Sequence, residues 1–173
     1  MPPQDANQPP GHSVVLQPGA GRQVSLGPAG VVTLKAVAGD SGGTLSAYAC
    51  TLPPATAGPP VHLHRTWDEA FYVLDGEMTF LIDGTDHRAP AGSFVFIPRG
   101  ILHTFWNASD RPTTQLTVFT PSGIEEYFEA VTQVLAAGDE ASPGAAAALM
   151  AAYDMVVPEE TRPAYGALST PPD

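Results

Sequence analysis

Three histidines and one glutamate stand out in this 173-residue chain, because they place polar side chains inside apolar segments. His62 and His64 lie one residue apart in GPPVHLHRTWDEAFYVLDG, and Glu69 follows five positions after His64. Residues two apart on a strand point to the same face, so the two imidazoles should project together. The odd step to Glu69 requires a turn or bulge across residues 65–68, after which the carboxylate can join them.

A second segment, GSFVFIPRGILHTFWN, supplies His103 at the start of another short strand. Pro98 and Gly100 predict a turn just before it. Three neutral imidazoles and one carboxylate are suitable ligands for a single divalent first-row metal, and they leave one or two positions open for water, dioxygen or substrate. The alternative is that these residues are only hydrogen-bonded to one another in a core. His87, in the Gly84–Pro90 turn, is expected to face solvent rather than bind metal.

The elements that must position these side chains are short strands. From Ser13 to Pro121 the chain alternates β-branched or aromatic runs with Gly, Pro, Asp and Asn clusters, which is typical of an antiparallel sandwich or barrel. Asp75-Gly76 predicts a hairpin between EAFYVL and EMTFLI, and Asp83-Gly84 predicts another turn. Phe71, Phe80 and Phe105 are the best candidates to line a pocket in this barrel, followed by Met78 and Phe96; which face of the 78–82 strand is inward stays open.

Outside the β-region the composition changes. Residues 1–12 form a Pro- and Gln-rich lead-in that is expected to be flexible. Residues 122–157 predict two helices that pack on the barrel or on a partner subunit, the first capped by Ser122 with Glu125 three positions later. Residues 158–173 are Pro-rich and are expected to be a loose tail.

The overall composition excludes several classes of protein. Lys plus Arg total 7 against 18 Asp plus Glu, a formal net charge of −11, so neither nucleic acid nor an anionic membrane is an expected partner. Cys50 is the single cysteine, which excludes an intrachain disulfide; it is expected to be a small core residue. The first residues lack the pattern of a signal peptide, and no apolar run reaches the ~20 residues of a membrane helix. We therefore expect a soluble, cytoplasmic protein.

The two histidine-bearing segments together resemble the cupin family. The first cupin motif, with its paired histidines, glutamate and closing glycine, is matched by His62, His64, Glu69 and Gly76. The second is matched position for position, by Gly92, Pro98, Gly100, His103 and Asn107. One departure is that only three residues separate Gly58 from His62, which affects the entry turn and not the ligands. The resemblance covers 13–121 and implies an all-β, jelly-roll barrel followed here by two C-terminal α-helices.

The helical tail after Thr120-Pro121 is similar to that of small single-domain, quercetinase-like cupins. These resemble flavonol 2,4-dioxygenases, which open a heterocyclic ring with dioxygen at a divalent metal. Carried over, the resemblance implies that His62, His64, Glu69 and His103 are metal ligands and that Glu69 is also the general base. A carboxylate beside a cation is a poor base unless it swings away as substrate enters.

Three functions stay open at this point. The first is a metal-dependent dioxygenase acting on a planar, hydroxylated aromatic or enolic small molecule. The second is a non-oxidative isomerase, cyclase, lyase or decarboxylase that uses the same cation as a Lewis acid. The third is a non-catalytic binding protein. Iron, manganese, cobalt, nickel, copper and zinc all suit the ligand set. The family resemblance and the need to cover sheet edges also imply a homodimer.

Overall fold

The computed structural model describes residues 11–136 and 143–158. Within these residues the chain forms twelve strands, three α-helices and one short 3₁₀ helix, Gly27–Ala29, and the strands dominate. The strands are β1 (Arg22–Ser25), β2 (Val31–Ala36), β3 (Ser46–Leu52), β4 (Thr56–Ala57), β5 (Leu63–His64), β6 (Asp68–Asp75), β7 (Glu77–Ile82), β8 (Thr85–Pro90), β9 (Phe94–Ile97), β10 (His103–Asn107), β11 (Thr113–Thr120) and β12 (Met155–Val156). The helices are α1 (Ala38–Ser41), α2 (Ile124–Ala136) and α3 (Pro143–Ala152).

Two antiparallel sheets form the body of the fold. The larger has the order β1-β2-β3-β11-β6-β9, and the smaller has the order β4-β10-β7-β8. Inward-facing residues alternate with outward-facing ones along β3, β6 and β11, and the inward set forms a single core. The prediction of an all-β jelly-roll followed by helices is confirmed.

The turn at Asp75-Gly76 differs from its prediction. The strands on either side, β6 and β7, belong to different sheets, so the chain crosses between sheets here and does not form a hairpin. Gly76 has a φ of 77°, and a Cβ at this position would lie 2.6 Å from Thr113 Oγ1. The glycine is therefore required by backbone conformation and by close contact with β11. Asp83-Gly84 does form a hairpin, because β7 pairs with β8 along its whole length.

The start of α2 is anchored to the barrel by Glu125, which is buried. Its carboxylate accepts hydrogen bonds from the Ser46 hydroxyl and from the backbone N–H groups of Ala38 and Gly123. Glu125 thus accepts from the backbone N–H of Gly123, the residue directly before the helix, as a capping side chain does. The predicted cap, Ser122, lies one residue too early, because α2 begins at Ile124.

The last described segment returns to the barrel. After α3 the chain turns at Asp154, and β12 pairs antiparallel with β5, so that Met155 lies opposite His64. None of the helices in residues 11–136 and 143–158 combines the length and apolarity that a membrane crossing requires. The predicted lead-in and tail lie almost wholly outside the described residues.

Candidate metal centre

The four predicted ligands converge. One ligand atom from each of His62, His64, Glu69 and His103 lies within 4.8 Å of every other, and all four side chains are buried. His64 and Glu69 are placed by β5 and β6, and His103 begins β10. His62 is held by an antiparallel bridge in which its backbone exchanges two hydrogen bonds with that of His103.

Residues 65–67 separate β5 from β6 and change the direction of the chain, as the odd spacing requires. The Trp67 indole inside this bend packs against the His64 ring, with 5.5 Å between ring centroids, and against Phe119. Glu69 then lies on the inward face of β6, directly opposite Phe119 on β11. The bend therefore brings the carboxylate to the same interior as the imidazoles.

The three imidazoles share one hydrogen-bond pattern. Each Nδ1 faces a backbone carbonyl oxygen: Pro60 O at 2.7 Å for His62, Asp154 O at 3.3 Å for His64, and Ile101 O at 2.9 Å for His103. A carbonyl can only accept, so each Nδ1 carries the proton and donates it. The Nε2 lone pair of each neutral ring is therefore free to bind a cation.

The Nε2 lone pairs and the Glu69 carboxylate lie close enough to repel one another unless a positive charge lies between them. Glu69 Oε2 lies 3.0 Å from His103 Nε2 and 3.3 Å from His64 Nε2, and the latter nitrogen, although buried, makes no hydrogen bond. With Nδ1 already a donor, His103 can also donate from Nε2 only as an imidazolium. A divalent cation would meet all four groups at once, so the residues present fit a metal ion.

The pKa values of these groups reflect the same crowding. Burial, together with the neighbouring His103 and His64, lowers the pKa of His62 to about 3. Burial alone would raise the pKa of Glu69, but its interactions with His103 and His64 outweigh this and lower it to about 2. Burial also opposes protonation of His103, yet its hydrogen bond to Glu69 raises the pKa of this imidazole. Glu69 is thus ionised and His62 neutral, which are the forms that bind metal.

A cavity of about 270 Å³ opens onto the site. His62 and Glu69 form its polar end, and the rest of its wall is largely apolar. The barrel supplies one side and the C-terminal helices the other. The main contributors are Tyr48, Cys50, Leu52 and Phe105 from the barrel, Ile124, Tyr127, Phe128 and Val131 from α2, and Leu149, Met150 and Met155 from α3 and β12.

The predicted pocket residues divide into three groups. Phe105 lines the cavity. Phe71, Phe80 and Met78 are inward-facing and fully buried, and the two phenylalanine rings pack against each other with 5.0 Å between centroids, so they form core beside Phe105 and not cavity wall. The prediction for Phe96 is wrong: its side chain is 56% exposed, because even-numbered residues of β9 face outward.

The interpretation of the sequence missed one part of the cavity wall, which α2, α3 and β12 provide. It also missed Tyr48, whose alternation with Ser46 and Cys50 on β3 was a signal that it faces inward. Burial raises the pKa of Tyr48 well above its usual value, and the negative charge of Glu69 raises it further. The phenol is therefore protonated at neutral pH and lies in the cavity that holds Glu69.

Other polar residues of the two motifs stabilise the backbone around the site. The Arg99 guanidinium donates to both carboxylate oxygens of Asp68, and the Arg99 N–H donates to the same side chain, which links the turn before His103 to the start of β6. The buried Asn107 amide donates to the carbonyls of Leu52, Pro53 and Arg111. Neither residue reaches the metal ligands.

Comparison with known proteins supports the same family. A cupin domain family matches residues 48–119. A quercetin 2,3-dioxygenase from Bacillus subtilis (strain 168) is 28% identical over 116 residues, which are 62% of this chain and 34% of that protein. An uncharacterized protein from Aquifex aeolicus (strain VF5) is 33% identical over 61 residues, 35% of this chain and 50% of that protein. The match thus spans about a third of the length of the Bacillus protein and half of the length of the Aquifex protein.

Solved structures show the same fold at low identity. KdgF from a Halomonas species aligns with a TM-score of 0.58 at 18% identity, covering 66% of this chain and 98% of that one. An RmlC-like cupin from Shewanella frigidimarina NCIMB 400 aligns with a TM-score of 0.54 at 16% identity, covering 66% and 96%. With both motifs present and their histidines and glutamate converged in a barrel, residues 48–119 of this chain form a cupin domain.

Proposed function

We propose that the chain is a metal-dependent dioxygenase acting on a hydroxylated aromatic or enolic, flavonol-like small molecule. The observation that carries this proposal is the buried set of three histidines and one glutamate at the polar end of an otherwise apolar cavity. Similarity to a quercetin 2,3-dioxygenase over 116 residues supports it. The cavity, of about 270 Å³, is suited to one small molecule.

His62, His64, Glu69 and His103 would hold one divalent first-row transition metal. When bound, this ion supplies Lewis acidity and a place where substrate oxygen and dioxygen can meet. Glu69 acts as the base: it lines the cavity and takes the proton of the substrate hydroxyl at a carboxylate oxygen. In the present geometry its pKa of about 2 makes it a weak base, so it must separate from the imidazoles as substrate enters.

The cavity wall favours an apolar substrate with its polar group at one end. Among the described residues that line it there is no lysine or arginine, although cationic side chains are what a phosphate or multiply charged carboxylate would need. Aromatic rings from the barrel and from α2 line the side walls and would pack on a flat ring. These features oppose sugar phosphates and oxalate-like anions as substrates.

A non-oxidative reaction is the second candidate, and Tyr48 is the observation that favours it. The protonated phenol and the ionised Glu69 carboxylate line the same cavity, so one can donate a proton while the other accepts one. This pairing would serve an isomerase, cyclase or lyase that moves a proton without consuming dioxygen.

One experiment separates the two candidates. The protein, loaded in separate samples with Fe(II), Mn(II), Co(II), Ni(II) or Cu(II), is mixed with quercetin while dioxygen uptake and the flavonol absorption band are followed. The dioxygenase proposal expects equal consumption of the two reactants and incorporation of both atoms of ¹⁸O₂ into products. If no metal form consumes dioxygen with quercetin or related enediols, or if turnover continues unchanged without oxygen, that proposal fails.

We also propose that two copies associate through the outer face of the larger sheet. Four adjacent strands present apolar residues to solvent where an antiparallel sheet normally presents polar ones. These residues, called here the outer apolar face, are Ala47, Ala49, Ala70, Tyr72, Leu74, Phe94, Phe96, Leu116 and Val118. Phe94 is 66% exposed and Phe96 56%, although both are large and apolar.

The outer apolar face is complementary to a copy of itself. Large side chains lie on β6 and the edge strand β9, whereas β3 carries the small Ala47 and Ala49. Two-fold rotation can place the aromatic side chains of one copy over the alanines of the other, which covers both apolar surfaces. A second copy is therefore the partner that this face fits.

A further inference from the structure

One of the three metal-ligating imidazoles is oriented by a distant part of the chain. The carbonyls that face His62 Nδ1 and His103 Nδ1 belong to Pro60 and Ile101, each two residues before its histidine. The carbonyl that faces His64 Nδ1 belongs to Asp154, 90 residues away. Thus two imidazoles are oriented within their own barrel segments, and the third depends on residues 143–158, called here the C-terminal strap.

The strap is held at this point by the Asp154 carboxylate. Oδ2 accepts from the Thr66 hydroxyl at 2.6 Å, from Thr66 N at 2.8 Å and from Arg65 N at 3.1 Å, while Oδ1 lies 3.2 Å from Arg65 N. These donors belong to the bend directly after His64. One side chain therefore binds the bend while its own backbone carbonyl faces the ligand that precedes the bend.

The backbone at Asp154 is shaped for this double contact. Its φ of 63° lies in the left-handed region, which asparagine and aspartate tolerate better than most residues with a side chain. The reversal of direction lets β12 pair with β5, so that Met155 lies opposite His64. The same strap contributes Leu149, Met150 and Met155 to the cavity wall. Its position therefore affects both the orientation of a ligand and the shape of the cavity.

We propose that Asp154 is a positioning residue for the metal ligand His64, and that the C-terminal strap completes a metal site which the barrel alone leaves partly unoriented. Loss of the carboxylate would free the strap at the bend, and the His64 ring could then rotate and lose its Nδ1 partner. Outer hydrogen-bond partners of metal-ligating histidines change metal affinity by about 10- to 100-fold. The inference rests on the proposed metal centre but not on the identity of the substrate.

The test compares Asp154→Gly with Asp83→Gly in the full chain. Glycine tolerates positive φ, so each substitution removes one carboxylate without straining the backbone. Asp83 also has positive φ, at 47°, and lies exposed in the β7–β8 turn, where its backbone N–H donates to the Leu102 carbonyl. Asp154→Asn is a third variant. It keeps the tolerance for positive φ and one acceptor oxygen, so it still tests the proposal if Asp154→Gly fails to fold.

The readouts are the dissociation constant for Co(II), the Co(II) absorption spectrum and the rate at which a chelator removes the ion. We expect Asp154→Gly to bind Co(II) at least tenfold more weakly and to show an altered spectrum, Asp154→Asn to be intermediate, and Asp83→Gly to match the parent. If Asp154→Gly is less stable but keeps the parent affinity and spectrum, the carboxylate is merely structural and the inference fails. If the parent protein binds no Co(II), the metal centre itself is overturned.

Discussion

At the scale of residues, the site depends on the tautomer of each imidazole. Backbone carbonyls hold all three Nδ1 protons, so the Nε2 lone pairs of the neutral rings converge with the Glu69 carboxylate. Without a cation, the buried His64 Nε2 has no hydrogen-bond partner, and His103 Nε2 can donate to Glu69 only if the ring is protonated. The arrangement is therefore favourable chiefly when a positive charge occupies the centre.

His103→Ala should abolish stable metal retention, because it removes one of four ligands and leaves Glu69 without its closest partner. His87→Ala is the matched control, since His87 is exposed on β8. Elemental analysis after gel filtration provides the measurement. Full occupancy in His103→Ala, or equal loss in both variants, would contradict the assignment of the ligands.

The Cys50 thiol should be slow to react in the native protein. Burial raises the pKa of this thiol to about 12, so that almost none of it is thiolate at pH 8. Ellman's reagent should therefore modify it far more slowly than an ordinary thiol until the protein unfolds. The low native rate should keep rising about tenfold per pH unit from pH 7 to pH 9, whereas that of an ordinary thiol levels off near its pKa of about 8.5. Rapid reaction at pH 8 without denaturant would show that the cavity wall near Cys50 opens.

At the scale of elements, the C-terminal helices are attached by a few polar contacts as well as by apolar packing. Glu125 at the start of α2 holds three donors from separate parts of the fold. Near the end of the C-terminal strap, the Asp154 carboxylate likewise accepts hydrogen bonds from the backbone N–H and the hydroxyl of Thr66. The cavity wall formed by α2 and α3 depends on these two anchors, so changes there should affect a site to which neither side chain belongs.

Glu125→Ala should lower the free energy of unfolding by about 2–4 kcal/mol, because buried donors lose their acceptor. Glu126→Ala, at the exposed neighbouring position, should have little effect. Urea unfolding followed by circular dichroism measures both variants. Equal stability of the two variants would mean that water replaces the carboxylate at no cost and that α2 is attached by apolar packing alone.

At the scale of the whole molecule, the two faces of the larger sheet have different tasks. The inner face carries Tyr48, Cys50, Glu69 and Phe119 to the cavity. The residues of the outer apolar face are uncharged, and Asp68 lies beside them where β6 begins. A net charge of −11 would otherwise keep copies apart, so association needs such a neutral, apolar region.

Phe94→Glu combined with Phe96→Glu should convert a dimer into a monomer of 18.0 kDa, because each copy would then bury two carboxylates against the apolar residues of the other. Thr85→Glu on the exposed strand of the smaller sheet is the control and should leave the mass unchanged. Light scattering coupled to gel filtration measures the mass. A monomeric parent at working concentration would rule out the proposed association.

Local spacing was sufficient to predict much of the site. Strand alternation places His62 and His64 together, and the two motifs predicted that Glu69 and His103 would join them; all four side chains converge as expected. The type and order of the main elements also followed from β-branched runs, turn residues and helical periodicity. These properties depend on residues a few positions apart, which the sequence displays directly.

Only the tertiary structure decided the contacts between distant segments. Asp75-Gly76 has the composition of a hairpin, yet it crosses between sheets because β6 pairs with β9 and β11. Phe96 alternates as an inward residue could, but the register of β9 turns it outward. The carbonyl that orients His64, and a part of the cavity wall, come from a segment about 90 positions later in the chain. Such long-range pairings follow from the packing of whole sheets and helices, which local periodicity does not specify.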